Sequence, residues 1–121
     1  MKLHLLDLEE DSIRHGPGVR MAVLLGEEHV YDYDVSTLAA KSLANPSYQG
    51  VTIIGEEKRM QSKSLMNLAK IIHGYGLNIL YRTNYSSKEL KEISGKDTMF
   101  RRFLSYVDQI ECSNGTTILP L

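Results

Sequence analysis

Gly50-Val51-Thr52-Ile53-Ile54-Gly55 is the stretch on which the fold turns. Every residue between the two glycines is β-branched, the side-chain type that favours a pleated strand. Downstream, Leu65, Leu68, Ala69 and Ile72 recur at i, i+3, i+4 and i+7, the apolar stripe of an amphipathic helix. Gly74 and Gly76 end that helix, and Leu77 to Arg82 is a second strand. Upstream, Val19 to Leu25 is a mostly apolar run, the pattern of a strand covered on both faces. Between these strands, Ser36 is placed to cap a short helix over Leu38 to Ala44, which Asn45-Pro46 would stop.

Further out, Leu3-His4-Leu5 opens a short strand that runs into the acidic Glu9-Glu10-Asp11. Arg14-His15-Gly16-Pro17-Gly18 reads as a loop whose glycines can take backbone angles closed to other residues. Glu27 to Asp34 is polar and acidic and reads as another loop. Toward the C-terminus, Ser86-x-x-Glu89 has capping-box spacing ahead of Leu90 and Ile93, and Gly95 closes that helix. Asp97 caps one more, with Met99, Phe100, Phe103 and Leu104 inward. Val107 to Cys112 is a last strand, and Asn114-Gly115 marks a hairpin turn. Strands alternating with helices predict an α/β fold with a mainly parallel sheet.

The 121 residues are the size of one domain, and the expected unit is 1–121. The 42% apolar and 24% charged fractions are those of an ordinary globular chain, and a net charge of −1 argues against a strongly basic nucleic-acid binder. A single Cys allows no internal disulfide and cannot alone build a zinc or iron–sulfur site. No apolar run approaches the roughly 20 residues of a membrane helix. The early Asp7 does not fit a signal peptide, so a cytoplasmic protein is expected.

Two segments carry more than fold information: Asp11-Ser12-Ile13-Arg14-His15-Gly16-Pro17-Gly18-Val19-Arg20 and Gly50-Val51-Thr52-Ile53-Ile54-Gly55-Glu56-Glu57. With Leu80-Tyr81-Arg82-Thr83-Asn84-Tyr85, Ser87-Lys88-Glu89-Leu90 and Val107-Asp108-Gln109-Ile110, they give an order that resembles the activating protein of anaerobic ribonucleotide reductase. That family consists of small radical S-adenosylmethionine enzymes. The resemblance runs from about Asp11 to Gly115 and implies a partial β/α barrel with its site at the C-terminal ends of the parallel strands.

The departures bear on function. The family carries Cys-x3-Cys-x2-Cys after its first core strand, and these thiolates hold a [4Fe–4S] cluster. Aligning Leu25-Gly26 with the family's Ser-Gly puts Glu27, Tyr31 and Asp34 at the three cysteine positions. Carboxylates and a phenol are poor substitutes for soft thiolates, and Cys112 is the only thiol, so no iron–sulfur cluster is expected. In the family's S-adenosylmethionine-binding Gly-Gly-Glu segment, Gly55 is kept, Glu56 replaces the second glycine and Glu57 matches the acid. These three are the residual cofactor-binding candidates.

The resemblance therefore implies a catalytically inactive protein with no catalytic residues and no metal, which works by binding a protein partner. A glycyl-radical enzyme such as anaerobic ribonucleotide reductase is the partner it suggests. Glu27, His29, Tyr31, Asp32, Tyr33 and Asp34 are the candidate contact residues, since tyrosines among acids suit interfaces. The alternative is a cluster-independent enzyme or sensor using the residual S-adenosylmethionine pocket, with Glu56 and Glu57 as acid or base. The same acidic stretch as a divalent-metal site is a third possibility, but it lacks the spacing of a calcium loop. Arg82, Lys88, Lys91, Lys96, Arg101 and Arg102 make the C-terminal third locally basic. Aromatic interleaving there is too thin for nucleic-acid binding to be expected.

Overall fold

The computed structural model describes residues 1–26, 30–55, 61–113, 115 and 117–118. In chain order the elements are β1 (Lys2–Leu5), β2 (Asp7–Ser12), β3 (Val19–Leu24), β4 (Tyr31–Asp34), α1 (Val35–Ala44), β5 (Tyr48–Ile54), α2 (Ser62–Gly74), β6 (Asn78–Arg82), α3 (Ser87–Lys96), α4 (Thr98–Tyr106), β7 (Gln109–Glu111) and β8 (Thr117–Ile118). Six strands form one sheet in the order β2-β3-β5-β6-β7-β8, and β1 pairs with β4 in a separate ribbon. The four central strands β3, β5, β6 and β7 are parallel; β2 and β8 join antiparallel at the edges. The fold is α/β with a mixed, mostly parallel sheet.

The parallel strands follow one another across the sheet in chain order, so every crossover steps the same way. Right-handed crossovers that all step one way place their helices on one face. The buried core agrees with this: Met21, Val23, Val51, Ile53, Ile79, Tyr81 and Ile110 alternate along the strands and pack against Leu38, Leu65, Leu68, Ile72, Leu90, Phe100 and Phe103. Tyr81 meets Phe100 and Phe103 edge-on, with ring centroids 6.3 and 5.1 Å apart, the geometry aromatic rings prefer. Val19–Leu24 is buried at its four central positions, as expected of a strand covered on both faces.

Local chemistry sets most element ends. Ser86 and Glu89 form the capping box of α3. Asp97 ends α3 and caps α4, accepting from Phe100 N at 3.1 Å. Asn45 ends α1, and Gly115, with φ 75°, lies between β7 and β8; Asn114 lies outside the described residues.

Four expectations change. Glu9-Glu10-Asp11 lies within an edge strand, β2, rather than following one. The stretch 31–34, expected as loop, is the strand β4. It alternates Tyr and Asp and finds a partner in β1. Ser36 lies inside α1, whose N-cap position is Asp34 without a side-chain cap bond. Gly95 lies within α3, and Asp97, rather than the glycine, ends it.

Candidate functional site

The face of the sheet opposite the helices mixes apolar residues with the polar ones that interrupt the strands. Strand register puts Ala22, Thr52, Leu80 and Gln109 in one row and Leu24, Ile54, Arg82 and Glu111 in the next. Glu9 lies opposite Ala22 on the same face. Residues 13–18, between β2 and β3, fold over these rows. Thr52 Oγ1 donates to the His15 carbonyl at 2.6 Å, and Arg20 Nη1 donates to the Pro17 carbonyl at 3.3 Å. Gly16 and Gly18 take φ 130° and 73° there, the left-handed angles expected of this loop. Beneath it Arg20, Ala22, Thr52 and Leu80 are buried.

Arg20 is only 1% exposed. Its guanidinium is held by neutral oxygens: Nε donates to Thr52 Oγ1 at 2.8 Å, and Nη2 to Asn78 Oδ1 at 2.8 Å and to the Val51 carbonyl at 3.1 Å. Burial lowers its pKa, and the negative charge of Asp108 opposes that shift.

Toward the C-terminal ends of the parallel strands a polar chain extends across the same face. Glu9 pairs with Arg14 through one carboxylate oxygen and lies 2.6 Å from His15 Nε2 through the other. Arg82 Nη1 is 3.4 Å from His15 Nδ1, and Arg82 Nε donates to Glu111 at 2.6 Å. These contacts tie the loop residues Arg14 and His15 to the sheet. The Arg14 hydrogen bond holds the Glu9 carboxyl below the usual carboxylate range, against the opposing effect of desolvation.

Of the residual cofactor candidates, Gly55 is in place immediately after β5. Its N–H donates to the Arg82 carbonyl at 2.9 Å, and its φ is 97°. A Cβ there would stand 2.5 Å from the Leu25 carbonyl, so only glycine fits this turn. Glu56 and Glu57 lie outside the described residues. So do Glu27 and His29 of the contact candidates.

Tyr31, Asp32, Tyr33 and Asp34 are all in β4, on a different sheet from Gly55. Tyr31 and Tyr33 lie opposite Leu5 and Leu3, with their rings 6.5 Å apart. Asp32 and Asp34 lie on the other face, where Asp32 pairs with His4. Gln61 closes the second edge of β1 with two bonds, accepting from His4 N at 2.7 Å and donating to the His4 carbonyl at 2.9 Å.

The placement of β4 tests whether the family's cluster would fit. Side chains three apart on a strand point to opposite faces, so Tyr31 and Asp34 diverge instead of converging on one centre. Their donors are also the wrong kind, and the residues do not fit an iron–sulfur cluster. Among the described residues no group of three His, Cys, Asp or Glu side chains is arranged to hold a metal ion. Cys112 is buried, and burial raises its thiol pKa, as befits a packed rather than a reactive cysteine.

At the other end of the strands, an open depression of about 270 Å³ is lined by His73, Gly76, Leu77, Asn78 and Asp108. Its polar groups already serve the fold: Asp108 accepts from Ile79 N at 2.7 Å, Asn78 accepts from Arg20, and the His73 ring packs at a tilt against Tyr106, with centroids 5.4 Å apart. Among the described residues no helix is long and apolar enough to cross a membrane.

Sequence reasoning missed the Glu9–His15–Arg82–Glu111 chain and the buried Arg20. The available signal was a single polar residue inside each of two apolar runs, Arg20 in β3 and Thr52 in β5. Comparison with known proteins adds no family: no family model, characterised protein or solved structure matches the chain.

Proposed function

We propose that this chain is a clusterless relative of the radical S-adenosylmethionine activases, with the partial β/α barrel retained and the radical chemistry gone, and that it acts by binding a protein partner. The observation that carries the reading is the divergence of Tyr31 and Asp34 on opposite faces of β4, at two of the three positions where the family needs convergent thiolates. The sequential order of the parallel strands supports the barrel relationship. The candidate partner is a glycyl-radical enzyme such as anaerobic ribonucleotide reductase. The exposed residues of β4, Tyr31 on one face and Asp32 and Asp34 on the other, are the first choice of contact.

Two titrations test this. Isothermal titration with S-adenosylmethionine is expected to give no heat. Binding in the micromolar range, about −8 kcal/mol, would overturn the reading in favour of a sensor or enzyme that uses the turn at Gly55. Titration into an anaerobic ribonucleotide reductase is expected to give a complex that Tyr31→Ala with Asp32→Ala weakens at least tenfold. No complex would remove that partner.

A further inference from the structure

The bonds that tie Asn78 and Asp108 into the fold also fix what each offers to the depression they line. Asn78 is the first residue of β6, and Asp108 immediately precedes β7. Arg20 can only donate, and its Nη2 is 2.8 Å from Asn78 Oδ1. The amide oxygen therefore faces the buried guanidinium, and the amide nitrogen with its two N–H groups is left over. Asp108 accepts from Ile79 N through Oδ2 and donates its own N–H to the Ile79 carbonyl at 2.9 Å, which leaves Oδ1 uncommitted. Among the described residues neither Asn78 Nδ2 nor Asp108 Oδ1 has a hydrogen-bond partner.

A donor and an acceptor, each oriented by a bond on its other side, thus share one depression. His73 adds an aromatic ring to it and Leu77 an apolar side chain. The volume of about 270 Å³ lies just under the roughly 300 Å³ at which pockets for drug-sized ligands begin, a size for a single heterocycle. Among the described residues no Lys or Arg lines it, so nothing there meets a phosphate.

We propose that this depression binds guanine, as the free base or its nucleoside. The base carbonyl at C6 accepts from Asn78 Nδ2, while N1–H and the 2-amino group donate to Asp108, and the ring packs against His73. A carboxylate is matched best by two parallel N–H donors, and guanine carries two adjacent ones beside a carbonyl. Adenine and cytosine offer one amino group beside a ring nitrogen, and uracil flanks its single ring N–H with carbonyls that a carboxylate repels. Both polar groups are held in place before the ligand arrives, so little ordering is lost on binding. This inference uses none of the residues of the proposed partner surface and is independent of the activase relationship.

Titration of the isotope-labelled chain with guanosine, followed through backbone amide shifts, tests it. Shifts should concentrate at Gly76, Leu77, Asn78, Ile79 and Asp108 and saturate by millimolar guanosine. Adenosine, and inosine without the 2-amino group, should each bind at least tenfold more weakly. Two variants keep the bonds to the fold and change only the face offered to the ligand. Asp108→Asn keeps an oxygen for Ile79 N and turns the free acceptor into a donor; Asn78→Asp keeps an oxygen for Arg20 and removes the free donor. Each should abolish the guanosine shifts while the rest of the spectrum stays that of the folded chain. Guanosine shifts that are absent, that lie away from this depression or that persist in both variants overturn the proposal. An equal response to adenosine overturns it too, without any variant, by showing a ring-packing surface that does not read the base edge.

Discussion

Thr52 is the residue through which the sheet, the buried cation and the covering loop meet. Its hydroxyl accepts from Arg20 Nε and donates to the His15 carbonyl, so it uses both functions without contact with water. Thr52→Val keeps the shape and removes both bonds, leaving a buried guanidinium donor and a carbonyl short of a partner. The expected loss is about 1–3 kcal/mol, read as a lower urea midpoint at unchanged slope; an unchanged midpoint would mean the loop is held by other contacts. Glu9 gives a pH test with a definite sign. Its pKa is lowered in the folded protein, first through Arg14, so its contribution is present above the ordinary value of 4.5 and is lost as pH falls through the lower folded value. Acidification below about pH 4.5 should therefore destabilise wild type more than Glu9→Gln, whose stability should vary less over that window. Equal acid sensitivity of the two would show that Glu9 gains nothing from Arg14. Apart from the polar Arg20 and Thr52, this network was not legible in the sequence, because strand register brings together residues as distant as Glu9, Arg82 and Glu111. Position along the chain carries no sign of that.

Among the elements, α3 and α4 were the most legible because side chains near their starts announce them. Asp97 does more than cap: one carboxylate oxygen accepts from Phe100 N and the other accepts from the Ser62 hydroxyl at 2.5 Å, tying α2 to α4. Among the described residues, Ser86 makes its cap bonds within its own helix, with Glu89. Asp97→Ala should accordingly cost more than Ser86→Ala, for which about 1 kcal/mol is expected, because it also strands a buried hydroxyl. Equal losses in thermal unfolding would count against the link to Ser62. Strands β2 and β4 were the hardest to read. Asp-Leu-Glu-Glu-Asp-Ser lacks apolar alternation because an edge strand is half solvated and its acids are tolerated there. Tyr-Asp-Tyr-Asp does alternate, but only pairing with β1 turns that period into a strand.

At the scale of the whole molecule, the central strands β5 and β6 are paired on both sides, whereas β2 and β4 lie at edges. Hydrogen exchange should be slowest at Val51–Ile53 and Ile79–Tyr81 and fastest at the edges, since local opening begins where fewest contacts hold. The α/β class was recoverable from residue periodicity; the mixed sheet, with its antiparallel edges, was not, since it depends on two polar strands. The pairing of β1 has a consequence for biosynthesis. Its strand partner begins at Tyr31, and its other edge is bonded by Gln61 and Ser64, the latter 62 residues beyond the Lys2 carbonyl it reaches. At roughly 5–20 residues per second of translation, those bonds lag the synthesis of β1 by about 3–12 s. During that interval Leu3 and Leu5, fully buried once folded, have no finished core to enter, which makes this short segment a place for a chaperone to hold the nascent chain.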